Sequence, residues 1–150
     1  RQSVRGLRSL LVDIYPPSLR QAGLASALSD LLGPVAARGL ETAVEVSPDL
    51  TLPADDEALI FRVAQEAVRN AVAHAAPRKV EVTVSEDTER VLLTVADDGS
   101  GFDPASAVST GEGHFGLSML ADLAREAGGR LDVDSTPGAG TRVRLAVPRR

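Results

Sequence analysis

The sequence contains no cysteine among its 150 residues, which excludes disulfide bonds and thiolate metal sites. Only two histidines, His74 and His114, are present, and they make a poor metal cage. No apolar run approaches the ~20 residues of a membrane-spanning helix, and no secretory signal peptide opens the chain. The formal net charge of −5 argues against a broad nucleic-acid-binding surface.

The residues that are present are those of a soluble globular domain. Hydrophobic residues make up 43% and charged residues 25% of the chain, and both shares are ordinary for such domains. The first residue is arginine rather than methionine, and Val4, Leu7 and Leu10 already follow helical spacing. We therefore expect the chain to be a fragment of a longer protein.

Helical periodicity predicts three helices before residue 76. The first ends at Pro16, because two consecutive prolines remove backbone donors and disfavour helical geometry before them. The second spans residues 24–38 and is weakened or kinked near Gly33. The third and strongest spans residues 54–75, where three acidic residues follow Ala54 and favour the positive end of the helix dipole.

Alternating hydrophobicity predicts the strands. One short strand is expected at 42–47, one hairpin at 80–85 and 91–97, and a second hairpin at 130–135 and 141–148, with a helix from Phe115 to Gly129 between the hairpins. This order predicts an α+β fold, a two-layer α/β sandwich whose mixed, mostly antiparallel sheet is covered by helices on one face.

The stretch GEGHFG at residues 111–116 has the glycine spacing of a dinucleotide-binding turn. In that motif the glycines leave a strand directly, because the strand end and the helix start together aim backbone amides at the pyrophosphate. Here the preceding strand ends near Asp97 and a long loop intervenes. The context excludes the NAD-binding interpretation and leaves a glycine-rich loop that ends at a helix N-terminus, a plausible anion site.

Glu66, Asn70 and His74 recur every four residues in the strongest helix and so share one stripe. A carboxylate, an amide oxygen and an imidazole in line can hold a hard cation and phosphate oxygens. The alternative is an ordinary solvated polar face.

The stretch DDGSG at residues 97–101 follows a strand and places Gly99 and Gly101 after Asp97. Glycines let a flat ligand approach the backbone while the carboxylate accepts a hydrogen bond from an exocyclic amine. The alternative is an ordinary Asp-Gly turn. Residues 137–141, PGAGT, precede the final strand and by themselves indicate only a hairpin turn.

Taken in order, these segments resemble the N, G1 and G2 boxes of the GHKL ATPases, and most closely the catalytic, ATP-binding domain of bacterial sensor histidine kinases. The upstream stretch LRSLLVDIYPPSLRQAGLASAL is similar to the second dimerisation helix and linker of the subfamily related to nitrate-response and desaturase-regulating kinases. The resemblance covers essentially the whole chain and implies the Bergerat ATP-binding fold.

The resemblance implies roles for individual residues around Mg²⁺ and ATP. Asn70 would be the Mg²⁺ ligand, Glu66 the catalytic acid that orients metal-bound water or polarises the reacting centre, and His74 a phosphate neighbour. Asp97 would accept a hydrogen bond from the adenine amino group. The other nucleotide-binding positions would lie under the base, beside it, or in the lid and helix end under the phosphates: Gly99, Gly101, Gly111, Gly113, Gly116, Leu117 and Thr141.

Two departures from the family pattern concern the phosphates and the partner helix. Many relatives have Lys or Arg immediately before the N-box histidine, where this chain has Ala73. Many continue the lid helix as G-M-x-E-R, whereas residues 118–122 read SMLAD. Phosphate affinity and partner-helix contacts therefore follow less directly from the resemblance than adenine binding does.

The family's phosphoacceptor histidine lies on the first dimerisation helix, upstream of where this sequence starts, and neither His74 nor His114 fits that role. The resemblance therefore implies transfer of the γ-phosphate to a histidine outside the chain and relay to a response regulator, usually one with a helix-turn-helix output domain. It implies a homodimeric parent, with residues 1–40 as the end of a dimerisation helix and linker and residues 41–150 as the catalytic domain. We expect a cytoplasmic location, whether or not the parent is membrane-anchored, and no direct nucleic-acid contact.

Two other functions fit the same residues. One is a different GHKL ATPase, such as an anti-sigma-factor serine kinase, and the dimerisation-helix resemblance before residue 40 argues against it. The other is a non-catalytic regulatory domain of the same fold, to which Ala73 gives some support.

Overall fold

A five-stranded sheet is the frame of the molecule. The computed structural model describes residues 17–101 and 115–149, without the side chains of residues 17–22, 74–75 and 115–116. The helix predicted upstream of Pro16 therefore lies outside the described residues. The elements in chain order are helix α1 (Pro17–Ala37), strand β1 (Glu41–Val46), helix α2 (Ala54–Asn70), a π-helical turn (Ala71–Ala75), strands β2 (Lys79–Glu86) and β3 (Arg90–Asp97), helix α3 (Phe115–Glu126), and strands β4 (Arg130–Ser135) and β5 (Thr141–Pro148).

The strands lie in the order β1-β2-β3-β5-β4. β1 pairs with β2 in parallel, and every other pair is antiparallel. The parallel pair requires a crossover connection, which α2 supplies. The predicted α+β architecture with a mixed, mostly antiparallel sheet is thereby confirmed, and both hairpins occur where the alternating pattern placed them.

The helices of residues 17–101 and 115–149 pack with the sheet around one hydrophobic core. Along β2, Val80, Val82 and Val84 are buried while their neighbours are more exposed, as expected for a sheet with one face in the core. The fully buried large side chains come from helices and strands alike: Leu28, Ile60, Leu93, Leu145, Val63, Val80, Val82, Val84, Val91 and Val147. Within residues 17–101 and 115–149, none of the helices has both the length and the hydrophobicity needed to cross a membrane.

Helix α1 is broken at Gly23, directly before the predicted start of the second helix at residue 24, and its backbone stays helical at the predicted weak point near Gly33. Gly23 has φ 87° and ψ 177°, a left-handed conformation that glycine adopts without a Cβ clash. Pro34 remains inside the helix. Leu24 and Leu28 continue on the buried side of the helix after the break, so packing holds residues 24–37 as one segment.

Helix α2 begins at Ala54 and the helical path extends to Ala75, as predicted, but its last five residues form a π-helical turn. The following residue, Ala76, has φ 45° and turns the chain into β2. The π turn changes the helical period after Asn70. The backbone of His74 is therefore not one ordinary α-helical turn beyond Asn70, as the four-residue spacing predicted.

Candidate functional site

Asp97 occupies the last position of β3, between Val80 of β2 and Thr141 of β5. Its Oδ1 accepts a hydrogen bond from the Gly99 amide at 2.8 Å. Burial raises the pKa of Asp97 above its ordinary value; the Gly99 amide opposes this shift, the charge of Asp98 adds to it, and the Thr141 amide opposes it. The predicted adenine acceptor is thus a half-buried carboxylate whose Oδ1 is held by the Gly99 amide.

Two glycines let the backbone pass close beneath Asp97. Gly101 has φ +66° and Gly140 has φ +86°, values that favour glycine. A Cβ at Gly140 would clash with the carbonyl oxygen of Asp97, and a Cβ at Gly101 would clash with the carbonyl oxygen of Thr136. We call Asp97, Gly101, Thr136 and Gly140 the glycine cradle. It brings the DDGSG and PGAGT stretches together.

Thr141, the predicted support of the adenine site, forms a hydroxyl pair with Ser135. The two oxygens lie 2.8 Å apart, and Ser135 Oγ donates to the Gly140 carbonyl at 3.2 Å. Because Ser135 has one hydroxyl proton, Thr141 is the donor within the pair, which orients its hydroxyl. Sequence reasoning missed Ser135, although the hairpin register that pairs it with Thr141 was the signal that would have found it.

Asp98, also missed, anchors the start of β2. Its Oδ1 accepts hydrogen bonds from the backbone amides of Arg78 at 2.8 Å and Lys79 at 2.9 Å. These amide bonds, with that of Lys79 the stronger, lower the pKa of Asp98 below its ordinary value. The carboxylate thus stays ionised at neutral pH next to Asp97, whose pKa is shifted the opposite way.

Glu66 and Asn70 lie one turn apart on α2, as predicted. Glu66 is only 3% exposed, and Arg69 Nη2 donates to both of its carboxylate oxygens, at 2.8 and 2.7 Å. The Arg69 side chain is 68% exposed, so a guanidinium at the protein surface neutralises this buried carboxylate. Arg69 was not among the predicted site residues, although its position three residues after a glutamate on a helix was a sufficient signal.

Within the described residues, the side chain of Asn70 has an unsatisfied polar atom, as expected where a ligand binds. Its amide nitrogen is buried and has no hydrogen-bond partner in the described part of the chain, whereas buried polar atoms are normally paired. Hard cations such as Mg²⁺ take oxygen ligands and are often held by only one or two protein side chains plus substrate phosphates. The described residues hold no group of three or more His, Cys, Asp or Glu suited to a metal, so a cation here would depend on Asn70 and phosphate oxygens.

The remaining predicted residues are placed only in part. The side chain of His74 and all of Gly111 and Gly113 lie outside the described residues, and Gly116 is described only as backbone in the first turn of α3. Leu117 is buried in the core at 6% exposure. The structure therefore brings together Asp97, Gly99, Gly101 and Thr141, while Glu66 and Asn70 lie on α2.

Two cavities differ in whether predicted site residues line them. A cavity of about 200 Å³ touches Asp97, Gly140 and Thr141 where β3 ends and β5 begins. A larger one, about 610 Å³, lies between the start of α2 and α3, where Leu59 and Leu120 line it. The larger cavity contains none of the predicted site residues, so its size does not make it the nucleotide site.

Comparison with known proteins identifies one family and several similar sensor kinases. Residues 55–150 match the family described as histidine kinase-, DNA gyrase B-, and HSP90-like ATPase. A sensor-like histidine kinase of Chloroflexus aurantiacus is 33% identical over 149 residues, which cover 95% of this chain and 25% of that protein. The chain spans only 25% to 40% of the length of the curated relatives it matches first.

Two solved structures share the fold. The histidine kinase domain of the Erythrobacter litoralis EL346 blue-light activated histidine kinase has a TM-score of 0.70 and 25% identity, covering 85% of this chain and 59% of that one. Full-length ShkA in complex with AMPPNP also has a TM-score of 0.70, with 29% identity, covering 84% of this chain and 29% of that one.

Proposed function

Since this chain belongs to the family of histidine kinase-, DNA gyrase B-, and HSP90-like ATPases, we propose that it is the catalytic ATP-binding domain of a sensor histidine kinase. It transfers the γ-phosphate of Mg-ATP to a histidine outside the chain. The family resemblance found in the sequence is confirmed. The narrower relation to nitrate-response and desaturase-regulating kinases stays a prediction.

The half-buried Asp97 of the glycine cradle is the observation that carries the proposal. A half-buried carboxylate fixed by the Gly99 amide, next to backbone that only glycine permits, suits a flat base with an exocyclic amine. Thr141, its hydroxyl oriented by Ser135, lies on the neighbouring strand. The likeness to ShkA, which was solved with AMPPNP, supports an adenine nucleotide as the ligand.

The phosphate end of the site is assigned to helix α2. Asn70 offers a carboxamide oxygen to Mg²⁺, and Glu66, held through both oxygens by Arg69, keeps its carboxylate in one orientation. Bound Mg²⁺ would neutralise charge on the phosphate oxygens. Phosphoryl transfer depends mainly on positioning and electrostatic stabilisation, and these side chains contribute to both. Gly111, Gly113, Gly116 and His74 complete the phosphate end in this proposal.

The partners follow from the same proposal. The domain works with the dimerisation and phosphoacceptor helices of a homodimeric parent, and a response regulator receives the phosphoryl group. Residues 1–40 would supply the end of a dimerisation helix and a linker. Leu24 and Leu28 of α1 are buried in the same core as α2, so the last part of this segment packs onto the catalytic domain.

Calorimetric titration with ATP, with and without Mg²⁺, tests the assignment. We expect Asn70→Ala to remove the magnesium-dependent part of the affinity. Gln65→Ala is the matched control, because Gln65 carries a carboxamide on the same helix and bonds Arg62 at 3.0 Å; its affinity should not change. A folded Asn70→Ala protein with undiminished magnesium dependence contradicts the metal assignment. Absence of any nucleotide binding by the unaltered chain would favour a non-catalytic regulatory domain.

Incubation with γ-labelled ATP tests where the phosphoryl group goes. The chain alone should acquire no phosphohistidine, because the proposed acceptor lies elsewhere. The parent protein should label itself, and Asn70→Ala should abolish that labelling. Acid-labile label on His74 or His114 of the chain alone would show that the acceptor is misplaced.

A further inference from the structure

Asp98 has none of the roles assigned above, yet it forms three contacts with the start of β2. Its Oδ1 accepts from the amides of Arg78 and Lys79 at 2.8 and 2.9 Å, and its own amide donates to the Lys79 carbonyl at 3.4 Å. The Asp98 side chain is exposed, so its orientation is set by these hydrogen bonds and not by packing. The contacts tie the residue after β3 to the residues where β2 begins.

The location of these contacts links them to base recognition. Asp98 stands between Asp97, the proposed adenine acceptor, and Gly99, whose amide holds Asp97 Oδ1 at 2.8 Å. The Val80–Asp97 pair is the last of the β2–β3 ladder, and the end of a ladder is where strands separate first. Fixing the backbone of Asp98 therefore fixes both the strand position of Asp97 and the direction of the Gly99 amide.

The same contacts reach the other end of the proposed site. Arg78 follows the π-helical turn and Ala76, the residue with φ 45°. Asp98 therefore also holds the segment through which α2, with Asn70 at its end, connects to β2. The Asp98 carboxylate thus connects the end of β3, which carries Asp97, to the segment that follows α2, which carries Asn70. The proposed site needs these two segments at a fixed distance.

We propose that Asp98 is a positioning residue for nucleotide recognition, acting through its two backbone amide contacts rather than by touching the ligand. The inference rests on the proposed function of Asp97. Displacement of a recognition group by as little as 1 Å can lower the performance of a site severely. Loss of the Asp98 anchor should therefore weaken adenine nucleotide binding by roughly tenfold.

The opposite end of the same hairpin provides a matched control. There Asp87 Oδ1 accepts from the amides of Glu89 and Arg90 at 2.8 and 2.7 Å. Asp87 is exposed like Asp98, and backbone amide bonds lower its pKa as well. Asp87 accepts from amides within its own turn, whereas Asp98 accepts from amides 20 and 19 residues earlier in the chain and lies next to Asp97. Their substitution therefore separates loss of a local amide cap from loss of nucleotide positioning.

The experiment measures ADP and GDP affinity by calorimetry and thermal unfolding for Asp98→Ala, Asp98→Asn and Asp87→Ala in the full chain. We expect Asp98→Ala to lose roughly tenfold in ADP affinity and part of the preference for ADP over GDP. Asp98→Asn should recover most of the affinity, because it keeps an oxygen acceptor without the charge. Asp87→Ala should lower the unfolding temperature and leave affinity unchanged. Asp98→Glu retains the charge but displaces the oxygens, so it should bind weakly; it replaces Asp98→Ala if that variant does not fold.

Several outcomes overturn the inference alone, given that the unaltered chain binds ADP. One is Asp98→Ala, or Asp98→Glu in its place, with unchanged affinity. Another is Asp98→Asn as weak as Asp98→Ala, which would exclude the amide contacts as the cause. A third is Asp87→Ala losing as much affinity as Asp98→Ala, which would indicate general loosening of the hairpin. Failure of the unaltered chain to bind ADP overturns the proposed function, and this inference with it.

Discussion

The substitution Asp97→Asn keeps the size of the side chain and changes one oxygen into an amino group. In the structure, the Gly99 amide donates to Oδ1 of Asp97 at 2.8 Å. Asparagine has a single acceptor oxygen, and Gly99 would retain it. The new amino group would then face the adenine amino group, donor against donor. Asparagine should therefore fail as an adenine acceptor despite its similar shape.

The magnitude follows from the kind of hydrogen bond that is lost. A hydrogen bond to a charged group contributes about 1.5–3 kcal/mol, and about 1.4 kcal/mol corresponds to a factor of ten. ATP affinity should fall by roughly ten- to a hundredfold. Guanine presents a carbonyl oxygen where adenine presents an amine, so the variant should lose less affinity for GTP, or gain some. Calorimetry with both nucleotides measures the ratio.

Stability should change in the opposite direction. Burial raises the folded-state pKa of Asp97 above its ordinary value. A raised pKa contributes stability that is fully present below the unfolded-state pKa and is lost as the pH rises through the folded-state pKa. At pH 7 the ionised carboxylate therefore opposes folding. Asp97→Asn should unfold at a higher temperature than the unaltered chain at pH 7, and this gain should shrink as the pH falls through the raised pKa.

Two results would refute this reasoning. If Asp97→Asn binds ATP as tightly as the unaltered chain and discriminates equally against GTP, the proposed contact between Asp97 and the base is wrong. A variant that is less stable than the unaltered chain at pH 7, and relatively more stable in acid, would show that burial does not govern the carboxylate. Asp49→Asn is the control for the chemical change, because Asp49 is exposed in a turn and should alter neither property.

Two further substitutions test the cradle and the core. Gly140→Ala should lower the free energy of unfolding by more than the roughly 1–2 kcal/mol of a left-handed alanine, because its Cβ would also clash with the Asp97 carbonyl. Gly138 has φ +82° and no atom of the described residues within 4 Å of an added Cβ, so Gly138→Ala should show only the cost of the left-handed backbone. If urea denaturation gives equal losses of unfolding free energy for the two variants, the close approach of Gly140 to Asp97 is contradicted. Leu28→Ala should lower the free energy of unfolding by about 2–5 kcal/mol, since Leu28 is 0% exposed. A much smaller loss in the same assay would show that α1 does not pack in the core. Leu92→Ala is the control, because Leu92 is exposed.

Local sequence pattern predicted the strands well and their arrangement incompletely. Period-two alternation located both hairpins within about a residue at each end, because one face of each strand packs on the core. The strand order, with β5 between β3 and β4, results from packing between distant segments that alternation does not encode. The π-helical turn after Asn70 was likewise invisible to a four-residue spacing.

The site shows the same division. Asp97 and its glycines were identified from one short stretch, because their roles depend on neighbours in sequence. The contacts of Asp98 and Ser135 depend on the register between strands, so no single segment revealed them. The predicted start of the second helix at residue 24 agrees with the break at Gly23, whereas the backbone stays helical at the predicted weak point near Gly33. Leu24, Leu28, Leu32 and Val35 are buried along this segment, and such tertiary packing is not encoded in the local glycine-proline signal.

Gly23 separates helix α1 into two parts with different axes. Residues 24–37 are fastened to the sheet by buried side chains, whereas residues 17–22 leave along a different axis at the single residue with φ 87° and ψ 177°. The direction in which residues 17–22 approach the domain is therefore set by the two backbone torsion angles of Gly23. A side chain at position 23 would disfavour this positive φ, so a substitution there would change the angle between the two parts of α1.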